Sequence, residues 1–189
     1  MRTALRLAFI ILCLVIAGLM AAAAAVGAPP PSDRTGIDRP RTARPAPALR
    51  ADKIMVLKGA RKLHLLRAGV IVRTYRIALG FAPKGHKQRK GDGRTPEGRY
   101  RISWRNPNSR FHRSLKISYP AAADRARARA RGVSPGGDIF IHGLPKGRAA
   151  LGAVHWRRDW TLGCIAVTNA EIEEIWVAVP DGTPIEIHP

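Results

Sequence analysis

The sequence predicts a single mainly β domain, β-rich α+β in class, carried behind an N-terminal export segment. Three observations predict it. Short runs of apolar and β-branched residues, bounded by Gly, Pro, Asn or Asp, recur from Lys53 to the C-terminus. Only two stretches carry helix-type signals, one opened by Pro120 and one by Thr168. No internal repeat is visible, and 189 residues suit one domain with a leader. A chain of this length buries a core without needing disulfides.

The N-terminus sets the compartment. Arg2 and Arg6 flank the start of an apolar run, Leu7 to Val26, that holds no charge. Residues 1–28 therefore read as a signal peptide or an N-terminal membrane anchor. The small residues Ala21–Ala25 and Val26-Gly27-Ala28 suit a signal peptidase, while the run is about the ~20 residues a membrane span needs. Pro29-Pro30-Pro31 disfavours cleavage directly after Ala28 and moves the expected site back into the alanine tract. Bulky Leu12 ahead of Cys13 excludes a lipoprotein signal. Residues 29–52 hold Pro, Arg, Ala and Thr with almost no large apolar side chain, so a Pro/Arg-rich basic linker is expected. The folded domain is expected over 53–189. Export places it in the periplasm or cell envelope, with inner-membrane anchoring if the leader is kept.

Lys and Arg number 33 against 13 acidic residues, a net charge of +20. Such a surface attracts polyanions. Export removes nucleic acid from the candidates and leaves the anionic cell envelope. A monomer is expected, and no Cys/His cluster has metal-ligand spacing, so no metal and no cofactor are expected.

Lys53–Leu57 and Arg61–Leu66 are the first strand-like runs, and Arg67-Ala68-Gly69 turns the chain into a longer strand over Val70–Leu79. Leu63 and Leu65 alternate with Lys62 and His64, a half-buried pattern that points His64 away from the core. Phe81–Gly98 is crowded with Lys, Arg, Gly and Pro. Its Gly91-Asp92-Gly93-Arg94-Thr95-Pro96-Glu97-Gly98 segment fits neither a P-loop nor a dinucleotide fingerprint, so a structured loop beside a binding groove is expected. Arg99–Trp104 reads as a strand, Asn106-Pro107-Asn108-Ser109 as a turn, and Leu115–Tyr119 as a strand. Pro120 opens an Ala/Arg helix ending at Arg131 before Gly132. Arg125, Arg127, Arg129 and Arg131 fall on several of its sides, as on a solvated helix. Asp138–Ile141 is a short strand delivering His142, and Ile165–Val167 is another. Thr168 and Glu171 form a capping box for a helix over Asn169–Val179, with Ile172, Ile175 and Trp176 on one face. Pro180-Asp181-Gly182 then turns into a final strand, Thr183–Ile187.

The chemistry-bearing residues are few. Once the leader is set aside, Cys164 is the one cysteine left, so it has no internal disulfide partner. Gly163 before it lets backbone approach a substrate closely. His142 lies 22 positions upstream, also beside a glycine, at the end of a second short apolar run. Adjacent strand ends would bring the two together, giving the thiol the base it needs. Taken singly, each also fits a buried structural role.

Three segments together resemble the L,D-transpeptidase catalytic domain (YkuD domain), nearest to the ErfK/YafK-like murein transpeptidase branch. They are Gly91-Asp92-Gly93-Arg94-Thr95-Pro96-Glu97-Gly98, Ser134-Pro135-Gly136-Gly137-Asp138-Ile139-Phe140-Ile141-His142-Gly143, and Thr161-Leu162-Gly163-Cys164. The resemblance covers about Lys53 to Ile187. The spacer from Gly143 to Trp160, 18 residues, is slightly longer than the family's. Leu162 replaces the family's second histidine, and Ala166 replaces its polar residue after the nucleophile.

The resemblance implies a single L,D-transpeptidase-type catalytic domain that acts on peptidoglycan stem peptides. Cys164 would be the nucleophile and His142 the proton acceptor and donor, held as a thiolate–imidazolium pair. The Gly143 carbonyl would orient His142, and the Gly163 and Cys164 amides would hold the oxyanion. Thr161, Trp160, Arg158 and Arg157 are substrate-side candidates. Asp159 is expected in a surface ion pair. An amine of a second stem or of a lipoprotein would accept the acyl group. A hydrolase or amidase on the same scaffold, and a non-catalytic basic wall-binding protein, are the alternatives from other classes.

Overall fold

The computed structural model of the protein describes residues 49–189, and the expected export segment and most of the linker lie outside the described residues. Eight strands and two helices follow in the order β1 (Lys53–Leu57), β2 (Lys62–Arg67), β3 (Val70–Arg76), β4 (Gly98–Ser109), β5 (His112–Ile117), α1 (Ala122–Ala130), β6 (Phe140–His142), β7 (Ile165–Ala166), α2 (Asn169–Ala178) and β8 (Pro184–His188). Two short 3-10 turns, Ala149–Ala153 and His155–Arg157, lie between β6 and β7. The mainly β class is thus the observed one.

The strands form one sheet in the order β3-β2-β1-β8-β4-β5-β6-β7. The β1–β8 and β6–β7 pairs are parallel and the others antiparallel. Long β4 joins the two halves: Gly98–Arg101 pairs with β8, and the rest pairs with β5. The chain leaving β3 returns to the far end of the sheet. Ala78 and Ala166 exchange both backbone hydrogen bonds, at 3.0 and 2.9 Å. That exchange ties β7, which would otherwise be a two-residue edge, to the segment Ile77–Gly80.

Period-two burial builds the core. Ile54 and Val56 on β1 face Ile185 and Ile187 on β8 in direct register, all buried. α2 lies across β5 and buries Ile172 and Ile175 completely, with Trp176 packed at the margin. Each such isoleucine contributes about 1.5–3 kcal/mol through burial. The expected capping box is present: Thr168 Oγ1 accepts from the Glu171 amide at 3.2 Å, and Glu171 Oε2 accepts from the Thr168 amide at 2.7 Å.

Three local expectations change. The chain is already packed before Lys53: Ala51 is buried and its amide donates to the Ala178 carbonyl at 2.9 Å. His64 is buried, not solvated, and its Nδ1 lies 2.8 Å from Thr74 Oγ1. β2 is an interior strand flanked by β1 and β3, and a hydrogen-bonded cross-strand partner lets the polar face be covered too. The Asn106–Ser109 segment belongs to β4, and the turn falls at Arg110-Phe111. Pro107 sits in a register break between Asn106 and Ser109, where no ladder amide is required. The arginine helix α1 keeps Arg125, Arg127, Arg129 and Arg131 exposed, as expected, and is anchored by a buried acid. Asp124 accepts from Tyr100 Oη at 3.1 Å, from the Ala121 amide at 2.8 Å, and from Arg127.

Candidate active site

The parallel β6–β7 pair sets the site. Its register is Ile141↔Ile165 and His142↔Ala166. Continued back by one residue, it places Cys164 opposite Phe140. Residues two apart on a strand share a face, so Cys164 and His142 emerge on the same side. Both line a cavity of about 290 Å³ with Asn106, Asn108, Ser109, Arg110, Phe111, Ser114, Asp138 and Phe140. The β4–β5 hairpin thus supplies most of the wall that faces the thiol.

The approach to Cys164 is braced by Thr161. Its Oγ1 donates to the Cys164 carbonyl at 2.7 Å and accepts from the Gly163 amide at 3.1 Å. Gly163 has φ +127°, and a Cβ there would sit 2.6 Å from the Arg94 carbonyl oxygen. Both facts demand glycine, because L side chains avoid that φ and the neighbour is backbone. The Gly163 amide is therefore engaged by Thr161, while the Cys164 amide makes no hydrogen bond among the described residues. Of the two expected oxyanion donors, the Cys164 amide is the one left open.

The Arg94 carbonyl belongs to the glycine-rich loop, which does border the site. Asp92 organises it, accepting from the amides of Gln88, Arg89 and Arg94 at 2.7–3.1 Å and from Lys87 Nζ at 2.8 Å. Burial alone would raise the Asp92 pKa, but Lys87 and the three amides outweigh it and hold it at about 2. Lys58, buried on the other side, ties the loop through the Gly85 and Thr95 carbonyls and Glu97.

The Cys164 thiol donates to the Asp138 carbonyl at 3.6 Å. Burial pushes its pKa up, against smaller opposing pulls from the Phe140 amide and Lys87. His142 is buried, with Nδ1 2.7 Å from the Gly143 carbonyl oxygen. That acceptor assigns the proton to Nδ1 and leaves Nε2 as the basic nitrogen. Burial drives the His142 pKa down to about 4; the Gly143 carbonyl opposes this and His155 adds to it. Burial thus opposes charge on both groups of the pair that the resemblance describes as thiolate and imidazolium.

Aromatic packing fixes the imidazole. The Phe111 ring centroid lies 4.4 Å from that of His142, and Trp160 approaches edge-on at 5.8 Å. Gly143 is required by close packing: a Cβ would sit 2.7 Å from Asn169 Oδ1 and 3.0 Å from the Phe111 carbonyl oxygen. Asn169 Oδ1 in turn accepts from the Leu144 amide at 2.8 Å, so the start of α2 holds the strand end that carries His142.

The structure brings Cys164, His142, Gly163, Gly143, Thr161 and Trp160 into one neighbourhood. It does not bring Arg157 and Arg158 to the Cys164 cavity. Arg158 borders a separate hollow with Leu144, Leu151, Val154, His155 and Trp160. Arg157 borders another around Trp156. Asp159 pairs with Arg61 at 2.6 Å and also accepts from the Leu79 amide at 2.9 Å, fixing the segment that leads to Trp160. Sequence reasoning missed Phe111, Arg110, Asn108 and Asp138. The misplaced turn hid the first three, since a hairpin tip at Arg110-Phe111 aims them at the thiol. Asp138 works through its backbone carbonyl, with φ +55°, and its residue type does not reveal that role.

Fold and site together define a β-rich domain in which a glycine-backed thiol and a carbonyl-oriented imidazole share one cavity beside a glycine-rich loop. A family model for the L,D-transpeptidase catalytic domain (YkuD) matches residues 51–187, and the chain belongs to that family. Among curated proteins, the one named "Putative L,D-transpeptidase YafK" from Escherichia coli K12 is 33% identical over 106 residues, covering 54% of this chain and 35% of the relative. The chain thus spans only about a third of that relative's length. Among solved structures, the helical cell shape determining protein Pgp2 from Campylobacter jejuni matches with TM-score 0.53 and 24% identity, over 72% of this chain and 46% of that one. Bdellovibrio bacteriovorus Bd1075 matches with TM-score 0.50 and 24% identity, over 76% of this chain and 50% of that one. These two likenesses establish the fold.

Proposed function

We propose that the chain is a cysteine-dependent L,D-transpeptidase acting on peptidoglycan tetrapeptide stems. The Cys164 sulfur attacks the carbonyl at the L-centre of diaminopimelate as its proton passes to His142 Nε2. The tetrahedral oxyanion is received by the open Cys164 amide, a donor of a kind worth about 10²–10³ in rate. Collapse breaks the bond to the terminal D-Ala, whose amine takes the proton from His142, and leaves a thioester on Cys164. An acceptor amine then attacks the thioester, gives its proton to His142, and restores the thiol. Because Leu162 stands where the family has a second histidine, His142 is the sole base.

The observation that carries this reading is the shared cavity of Cys164 and His142, with Nδ1 committed to Gly143 and Nε2 left basic. Arg110, the one cation among the described residues lining that cavity, is placed to meet a stem carboxylate. The exported leader would put the enzyme in the periplasm, released or held at the inner membrane, where a second stem or a lipoprotein amine is the acceptor.

The test is intact-mass spectrometry of the full chain incubated with a disaccharide-tetrapeptide, comparing wild type with Cys164→Ala and His142→Ala. A mass gain equal to the tripeptide acyl group, with D-Ala released and both lost in Cys164→Ala, is expected. Cross-linked products then identify an amine acceptor, and free tripeptide identifies water. Neither adduct nor D-Ala from folded wild type would overturn the proposal.

A further inference from the structure

Two tryptophans in this domain carry arginines on their rings, and the two arrangements differ in one respect. On Trp176, Arg105 and Arg113 each lie 4.9 Å from the ring centroid. Both are neutralised within the fold, Arg105 by Asp181 at 3.1 Å and Arg113 by Glu173 at 3.0 Å. On Trp156, Arg76 lies 4.3 Å and Arg157 5.9 Å from the centroid. Among the described residues neither of these has an acidic partner. They border a hollow of about 640 Å³ together with Lys62, Arg61 and Asp159. Asp159, the one acid there, is already held by Arg61 at 2.6 Å and by the Leu79 amide at 2.9 Å.

A guanidinium laid on an indole is held in position while its N–H edge stays free to donate. Two such groups with Lys62 beside them make a concave, preorganised cationic site whose counter-charge the fold does not supply. We propose that the Trp156 hollow is a second binding site, distinct from the Cys164 cavity, for an oxyanion (phosphate or carboxylate) on a flexible anionic polymer of the cell envelope. The two cavities share no lining residue. A polymer is favoured over a bilayer surface because the site is a hollow whose one large apolar side chain, Trp156, is covered by Arg76. The hollow sits on the segment that runs through Asp159 to Trp160 and Thr161. A bound polymer would therefore hold the wall close to the Cys164 cavity. This inference does not depend on the transpeptidase reading.

The test uses the full chain and linear polyphosphate as probe, with vesicles of phosphatidylglycerol in phosphatidylcholine as the membrane arm, both by isothermal titration calorimetry at fixed ionic strength. The double variant Arg76→Gln/Arg157→Gln is compared with Arg67→Gln/Arg129→Gln, which removes the same charge from exposed positions elsewhere. Loss of two preorganised charge-assisted contacts should weaken polyphosphate binding at least about tenfold, against roughly threefold or less for the control pair. Cys164→Ala should bind as wild type does, which separates this outcome from any failure of catalysis. Equal weakening in the two double variants would overturn the site. So would dependence on Arg76 and Arg157 in the vesicle arm alone.

Discussion

The neutral state of His142 can be tested through stability, without reference to turnover. In the unfolded chain its pKa is 6.5, and in the folded chain burial brings it to about 4. Above pH 6.5 both states are neutral and nothing is lost. Between 6.5 and about 4 the unfolded chain takes up a proton that the folded chain refuses, so stability falls as pH falls. Below about 4 both states are protonated and the loss is constant. At about 1.4 kcal/mol per pH unit, the interval from 6.5 to about 4 amounts to about 3 kcal/mol. His64 and His155 are lowered by burial as well, and Asp92 is held at about 2, so the raw acid sensitivity mixes several groups. His142→Gln isolates one of them, since an uncharged amide can still donate to the Gly143 carbonyl. Urea unfolding followed by circular dichroism at pH 8, 7, 6, 5 and 4 supplies the readout. The variant should be the less stable protein at pH 8, and the gap should move by about 3 kcal/mol in its favour by pH 4. A gap that stays constant across that range would refute the buried, neutral assignment.

Three further outcomes follow from the site geometry. Gly163→Ala meets both φ +127° and the Arg94 carbonyl at 2.6 Å, and should cost at least about 2 kcal/mol in urea unfolding; a cost under about 0.5 kcal/mol would show that the loop does not abut Cys164. Thr161→Val removes the hydroxyl that bridges the Gly163 amide and the Cys164 carbonyl. It should cost about 1–2 kcal/mol and slow acyl-enzyme formation by roughly tenfold or more, and unchanged formation would remove Thr161 from a positioning role. Because burial raises the Cys164 pKa from its ordinary value, alkylation of its peptide by iodoacetamide, read by mass spectrometry, should still be accelerating past pH 9. A plateau near pH 7 would instead mean a preformed thiolate.

Much of the strand and helix framework was legible because its determinants are local. Short apolar runs beside turn signals marked β1 and β8, alternation of Leu63 and Leu65 marked β2, and the Thr168–Glu171 box with Ile172 and Ile175 marked α2, since a helix start and an amphipathic stripe are written within one or two turns. Cys164 and His142 were legible as chemistry because each stands beside a glycine in a short apolar run. His64 was misread because burial of a strand's second face depends on what covers it, and Thr74 comes from a neighbouring strand. The hairpin tip was misread because Pro107 is tolerated in β4 only at a register break, which one strand alone does not reveal.

The sequence by itself therefore determined the class of fold and the reactive residue types, while the need for glycine at 163 and 143 came from packing against Arg94, Asn169 and Phe111. Tertiary structure decided the rest, because each remaining feature joins residues distant in the chain. The parallel β6–β7 register set Cys164 and His142 on one face. Desolvation disfavours charge on both members of that pair. Thr161 occupied the Gly163 amide and left Cys164's own amide open. The same long-range packing carried Arg157 away from the thiol and beside Arg76 on Trp156. Local patterning specifies which groups a chain carries, but solvent exclusion and partner geometry, which set their protonation and reach, exist only once the chain has closed on itself.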